Sequence, residues 1–302
     1  MNLIVTGASG FVGKNLLNYL KISNKFSIQT LDLRIDKLSA INLDIFSVIH
    51  LAGKAHDLKG VSNYEDYIAI NFELTRKLYD EFLQSNAKKF IFISSVKACA
   101  DHVEDILKES DCPDPKTDYG KSKLLAEEYI QSIPLPEGKS YFILRPCMIH
   151  GPGNKGNLNL LYKFVALGLP YPLGAFQNKR SFLSIDNLCF VIYELLVRND
   201  IPSGIYNISD DEALSTKDLI KLIASMSNKR PILWKISPVL IRSLAKLGDV
   251  LNMPLTTERL NKLTENYIVD NSKIVKALGK EFPVKARQGI SNTLRAFKKD
   301  LL

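Results

Sequence analysis

Leu3-Ile4-Val5-Thr6-Gly7-Ala8-Ser9-Gly10-Phe11-Val12-Gly13 decides the fold of this chain: an apolar run breaks into a loop with three glycines, and residues 14–20 follow with helical spacing. Strand, glycine-rich turn and helix in that order is the setting a dinucleotide-binding loop needs. Gly7 permits the tight turn, Gly10 lets backbone N–H groups approach a pyrophosphate, and Gly13 lets the helix pack closely on the strand. The helix N-terminus adds the positive end of a dipole for the phosphates. A second apolar run, Phe26-Ser-Ile-Gln-Thr-Leu31, ends at Asp32, nineteen residues beyond Gly13. That is the distance expected of a carboxylate holding the adenosine ribose diol, and it would repel a 2′-phosphate. NAD is therefore the expected cofactor, with NADP possible because Arg34 lies two residues further on.

Alternating strands and helices continue downstream. Val48-Ile-His-Leu-Ala52, Phe90-Ile-Phe-Ile93 and Tyr141-Phe-Ile-Leu144 are uninterrupted apolar strands, and residues 67–84 and 119–133 carry helical spacing. Strands of this kind between helices imply a parallel sheet covered on both faces. The expected architecture is an α/β, Rossmann-type doubly wound parallel sheet with a smaller C-terminal α/β substrate lobe. Its division is residues 1–150 for the dinucleotide-binding domain, with 181–205 returning to it, and 151–302 for the substrate lobe. The stretch between Asp32 and Val48 is too short for a full crossover helix and another strand, so the sheet is expected to be abbreviated there. Helices are expected over 158–167, 187–197 and 216–226. Residues 231–253 are apolar enough to suggest a membrane-surface helix, but Pro238, Gly248 and four charges interrupt them, and a packed helix of the lobe is preferred.

Tyr119-Gly-Lys-Ser-Lys123 carries the chemistry. On a helix, residues four apart share a face, so the phenol and the ammonium stand together. A free tyrosine titrates near 10, and a neighbouring cation favours its phenolate, bringing it toward a useful base.

Composition limits the alternatives. In 302 residues, 46% hydrophobic and 24% charged, there is room for one large or two modest domains with an ordinary core. No apolar run reaches the ~18 residues of a membrane span, and the N-terminus shows no charged leader or cleavage site, so a cytoplasmic location is expected. Cys99, Cys112, Cys147 and Cys189 are scattered without a C-x-x-C pair, and His50, His56, His102 and His150 form no H-x-x-x-H pattern. Reduced thiols and no metal site are the expectation. The net charge of +8 comes from dispersed lysines with no aromatic interleaving, so nucleic acid is not an expected partner.

With these motifs in order, the chain resembles the extended short-chain dehydrogenase/reductases of the NAD-dependent epimerase/dehydratase type. Within them it is most similar to a UDP-glucose 4-epimerase-like subgroup of surface-polysaccharide pathways, some of whose members instead reduce 4-keto sugars. The resemblance rests on Thr6-Gly-x-x-Gly-Phe-x-Gly13, His50-Leu-Ala-Gly53, Asn71, Ser94-Ser95, Tyr119 with Lys123, Arg145-Pro146, Gly151-Pro-Gly153 and Arg180-Ser-Phe-Leu-Ser-Ile-Asp186. It implies Ser95, Tyr119 and Lys123 as catalytic residues. It implies cofactor contacts at Gly7, Ser9, Gly10, Phe11, Val12, Gly13, Asp32, Leu51, Ala52, Gly53, Asn71, Tyr119, Lys123 and Pro146. Ser95 would also bind the substrate, through the reacting sugar oxygen, and Arg180 would contact the substrate phosphate, with Arg259 a second candidate. The implied substrate is a UDP-hexose or UDP-N-acetylhexosamine, epimerised through a 4-keto intermediate by a homodimer. The rival reading is NAD(P)H-dependent C4 reduction of a UDP-4-keto-6-deoxy-hexosamine. A reading of another class is a non-catalytic NAD(P)-binding regulatory protein, against which Tyr119 and Lys123 are both present.

The chain also departs from the pattern. Val96-Lys-Ala-Cys-Ala100 stands where many sugar epimerases carry a tyrosine-glycine pair, and Arg145-Pro-Cys-Met148 replaces an aromatic-asparagine run. A 4,6-dehydratase would need an Asp-Glu pair at Val96 and Lys97, so dehydration is not expected.

Overall fold

The computed structural model describes residues 1–33, 45–54, 63–154, 156–251, 253 and 255–299. Arg34, His56 and most of the stretch between Asp32 and Val48 lie outside the described residues.

The central sheet contains β1 (Asn2–Thr6), β2 (Ser27–Leu31), β3 (Ser47–His50), β4 (Lys89–Ile93), β6 (Ser140–Pro146) and β9 (Gly204–Ile208), in the order β2-β1-β3-β4-β6-β9. Every pairing is parallel. Two helices cover one face: α1 (Phe11–Ile22) and α6 (Ile185–Val197). A longer helix and α4 (Asp118–Ser132) cover the other. The longer one is built from α2 (Tyr64–Tyr67), a π turn (Ile68–Glu73) and α3 (Leu74–Gln84).

Strand alternation decides what each face buries. Leu3, Val5, Ile49, Ile91, Phe142 and Leu144 meet Leu16 and Leu20 of α1 and Leu188, Val191, Ile192 and Leu195 of α6. Ile4, Val48, Phe90, Phe92 and Ile143 meet Leu78, Tyr79 and Phe82 of α3 and Ala126 and Ile130 of α4. Because both faces are covered, the strands have no polar side to alternate with, and this is why they read as continuous apolar runs.

Past the sheet, β7 (Met148–His150) pairs with β8 (Phe182–Ser184), and β5 (Ile106–Leu107) pairs with β10 (Ile268–Val269). A third core joins α5 (Asn157–Ala166), Phe182, α7 (Thr216–Met226) and α11 (Ala286–Lys299). A fourth, smaller one places Ile241 and Ala245 of α8 (Pro238–Leu251) and Leu260 of α9 (Thr257–Thr264) against Leu173 and Phe176. The short α10 (Ser272–Leu278) returns toward the sheet, where its Ile274 joins the first core. No helix among the described residues is long and apolar enough to cross a membrane. All four cysteines are free, three of them buried.

Candidate active site

Parallel strands deliver their C-terminal ends to one edge of the sheet, and the chain reverses its winding between β1 and β3. Ligands bind at such a switch point. The residues following the strands are Gly7 after β1, Asp32 after β2, Leu51 to Gly53 after β3, Ser94 and Ser95 after β4, and Cys147 after β6. The sequence candidates thus converge on one edge through topology alone.

The glycine loop has the geometry expected of it. Gly7 sits at φ +68°, and a Cβ there would stand 2.6 Å from the Ala52 nitrogen, so this turn crosses directly over the β3 loop. A Cβ on Gly13 would stand 2.4 Å from the Gly7 carbonyl oxygen, so α1 presses against the turn. Gly10 caps α1 in extended conformation, and its N–H donates to Gly7 O at 3.1 Å. Phe11 reaches across to the Gly151 loop. Ser9 and Gly10 are exposed at the mouth, while Pro146 is buried at the end of β6. The bare backbone at a helix N-terminus, with Asp32 at the neighbouring strand end, fits a dinucleotide.

Asn71 lies in the π turn, fully buried, and ties three segments together. Its Oδ1 accepts from Lys54 N at 2.7 Å, while its Nδ2 donates to Lys54 O at 3.1 Å and to Ser122 Oγ at 3.0 Å. Single π turns recur at functional sites because the wider turn re-aims a side chain inside a helix. Behind it, His50 is held by Thr6 Oγ1 at 2.7 Å and Thr75 Oγ1 at 2.8 Å. Burial, with Lys123 adding to it, drives its imidazole down to about 3, so it stays neutral and structural. His150 is also buried, bonded to Thr293 Oγ1 at 2.8 Å.

Helix α4 presents Tyr119 and Lys123 from its first turns. Thr117 caps it by accepting from Gly120 N at 3.2 Å, and Asp101 accepts from Lys116 N and Thr117 N. The Tyr119 phenol hydrogen-bonds the Ser95 hydroxyl and packs edge-on against Tyr67 at 6.2 Å. Ser95 also accepts from Lys97 N at 3.2 Å, so the strand-end role and the contact to the phenol coexist. Lys123 donates to Ile93 O at 2.9 Å and lies 4.7 Å above the Phe92 ring; a Cβ on Gly53 would stand 3.1 Å from its Nζ. Burial pushes this ammonium down to about 8, against the pull of Glu127.

On one point the structure departs from the sequence reading. Burial is the largest influence on Tyr119 and raises its phenol above the ordinary value, with Tyr67 and Glu127 adding to the rise. What opposes them is the Ser95 hydrogen bond, not Lys123, whose ammonium turns to the Ile93 carbonyl. Desolvation of the charged form outweighs a cation that faces elsewhere.

Glu127 escaped the sequence reading. It accepts from Arg145 Nε at 3.0 Å, from Arg145 Nη2 at 2.5 Å and from Ser94 Oγ, with both partners of the ion pair buried. The signal was present: Tyr119, Lys123 and Glu127 are spaced i, i+4, i+8 on one helical stripe.

Arg180 stands apart from this cluster. Its Nε donates to Glu265 O at 3.3 Å and its Nη2 to Lys262 O, closing the C-terminal end of α9. Arg259 is exposed on the first turn of the same helix.

The fold, its glycine loop and the edge that gathers Ser95, Tyr119 and Lys123 are those of a dinucleotide-binding α/β protein. Residues 3–209 match the model of the NAD dependent epimerase/dehydratase family, and the chain belongs to that family. It is therefore an NAD(P)-dependent extended short-chain dehydrogenase/reductase. It is 28% identical over 98% of its length to the UDP-glucose 4-epimerase of Vibrio cholerae, covering 95% of that protein. It is 30% identical over 76% of its length to the N-acetyl-alpha-D-glucosaminyl-diphospho-ditrans,octacis-undecaprenol 4-epimerase of Escherichia coli O157:H7, covering 73% of that protein. The crystal structure of UDP-N-acetylglucosamine 4-epimerase from Bacillus cereus shares the fold, with a TM-score of 0.77, 21% identity and 99% of both chains covered.

Proposed function

We propose that the protein is a cytoplasmic 4-epimerase of a UDP-hexose or UDP-N-acetylhexosamine, acting in surface-polysaccharide synthesis with a retained NAD. The observation carrying this reading is the Ser95–Tyr119 hydrogen bond at the strand edge beside buried Lys123. The nicotinamide supplies the reversible redox chemistry at C4. Gly7, Gly10 and Gly13 present the backbone for the pyrophosphate, with Ser9, Phe11 and Val12 along the same loop. Asp32 holds the adenosine ribose; Leu51 to Gly53, Asn71 and Pro146 complete the cofactor wall.

Tyr119 takes the proton from the sugar O4 as the carbonyl forms and returns it when the carbonyl is reduced. Ser95 donates to the same oxygen and stabilises its developing charge. Lys123, its ammonium already eased toward neutrality by burial, holds the nicotinamide ribose. The 4-keto sugar turns over before it is reduced on its other face, which inverts C4. Arg180 and Arg259 are placed on the substrate diphosphate in this reading; for Arg180 this requires α9 to shift its end carbonyls. The active form is a homodimer.

The test is to incubate the purified protein, with no added cofactor, with UDP-glucose, UDP-N-acetylglucosamine and undecaprenyl-diphosphate-linked N-acetylglucosamine, and to resolve the C4 epimers. Epimer formed from either UDP-sugar by the protein as isolated supports the reading; epimer from the undecaprenyl-linked sugar alone keeps the 4-epimerase and overturns the UDP-sugar assignment. Stoichiometric NAD(P)H oxidation by a 4-keto sugar, with no epimer from any of the three, makes the protein a C4 reductase instead.

A further inference from the structure

Helix α8 packs through Ile241, Ala245 and Gly248 and leaves the rest of its surface open. Leu240, Leu244, Leu247 and Leu251 are 53%, 47%, 50% and 58% exposed, and their spacing of four, three and four residues sets them in one stripe along the helix. Val239 and Val250 widen it, and Met253 continues it past the helix end. In the extended segment leading into the helix, exposed Ile232 and Trp234 alternate with Leu233, whose backbone bridges to Tyr171. So large an uncovered apolar surface marks a site of association.

The charges beside the stripe say what covers it. Lys246 borders it beside Val239 and Val250, Lys235 is exposed just upstream, and among the described residues Lys246 has no carboxylate within ion-pair distance; Arg242 lies on the opposite flank, 5.8 Å over the Phe176 ring. The one carboxylate of the helix, Asp249, faces α9, accepting from Thr257 N at 2.9 Å and Thr257 Oγ1 at 2.5 Å. A leucine stripe, a tryptophan and an unanswered basic border are complementary to an anionic lipid surface. A second copy on this face would bring the basic borders of both helices into one interface.

We propose that α8 docks the enzyme on an anionic membrane surface, lying in the headgroup plane with Leu240, Leu244, Leu247 and Leu251 toward the acyl chains. The helix spans nothing and the enzyme remains peripheral. Docking rests on no assumption about the sugar, and it would bring the site within reach of amphiphilic sugar diphosphates.

The test is co-sedimentation of the full chain with phosphatidylcholine vesicles, with and without phosphatidylglycerol, at low and physiological salt. Binding should rise about tenfold with the anionic lipid and weaken with salt. Leu244→Glu/Leu247→Glu should lower it at least about tenfold at unchanged melting temperature. Should that pair melt early, Lys235→Gln/Lys246→Gln carries the test and should remove the preference for phosphatidylglycerol. Absence of vesicle binding at low salt overturns the proposal, as does binding indifferent to both pairs. A wild-type dimer converted to monomer by Leu244→Glu/Leu247→Glu also overturns it, because a second copy then covers the face. Cofactor content and epimer formation in these variants report separately on the catalytic reading.

Discussion

Asn71 donates to the Ser122 hydroxyl at 3.0 Å, and this bond ties the π turn to the helix that carries Tyr119 and Lys123. The same amide grips both backbone groups of Lys54, so the β3 loop, the π turn and α4 are held at one point. Replacing Asn71 by Ala leaves buried polar groups unsatisfied, at about 1–3 kcal/mol each. Turnover should fall about 10–100-fold as the centre loses its alignment, and the melting temperature should drop with it. Steady-state kinetics and calorimetry on Asn71→Ala check both.

Tyr119→Phe removes the proton carrier and leaves the ring against Tyr67. Turnover should fall about 10²–10⁴-fold while bound dinucleotide, released and measured by mass spectrometry, stays at the wild-type level. Turnover that survives the substitution would remove Tyr119 from its role. Because burial lifts the phenol, the wild-type rate should still be climbing above neutral pH.

Acid should destabilise the protein through His50. Its folded value, about 3, lies below the ordinary 6.5, so the unfolded chain takes up a proton that the folded one refuses. Stability is then fully present above pH 6.5 and is lost as pH falls from there toward 3, by up to about 5 kcal/mol from this group. Urea midpoints between pH 7 and 4 should show that slope, and His50→Asn should flatten it.

The Glu127–Arg145 pair is buried with Ser94 bonded into it. Glu127→Gln strands a guanidinium in the interior and should cost about 3–5 kcal/mol in urea unfolding. Glu127→Leu/Arg145→Met removes both charges and should recover most of the loss. If it does not, the pair contributes more than mutual neutralisation.

Gly13→Ala sets a methyl group against the Gly7 carbonyl and must push α1 off its turn. Dinucleotide retention should drop sharply, whereas Gly10→Ala, with a 3.3 Å contact, should keep more of it. Cofactor content of the two purified variants compares them directly.

The sheet was legible because its strands are local apolar runs and its helices carry local periodicity. Predicted 216–226 and observed Thr216–Met226 coincide, and the ends of the helices expected over 119–133, 158–167 and 187–197 differ by a residue or two, while the stretch 231–253 shortens to Pro238–Leu251. The glycine loop and the Tyr119–Lys123 stripe could be read for the same reason. The π turn was not legible, since one extra residue in a helical turn leaves the apolar spacing of Ile70, Leu74, Leu78 and Phe82 almost unchanged. The two carbonyls that Arg180 meets at the end of α9, some 80 residues downstream, were not legible either, because no local pattern announces them. The direction of the Tyr119 shift depends on where the Lys123 ammonium points, and that is decided by the Ile93 carbonyl on another strand. The contacts of Arg180 and Lys123 share one cause, a partner remote in sequence.

Helix α6 covers the same sheet face as α1, so the opening strand shares its core with residues synthesised nearly two hundred positions later. A ribosome that has released only the first 150 residues holds a nucleotide cradle whose α1 side still lacks Leu188, Val191, Ile192 and Leu195.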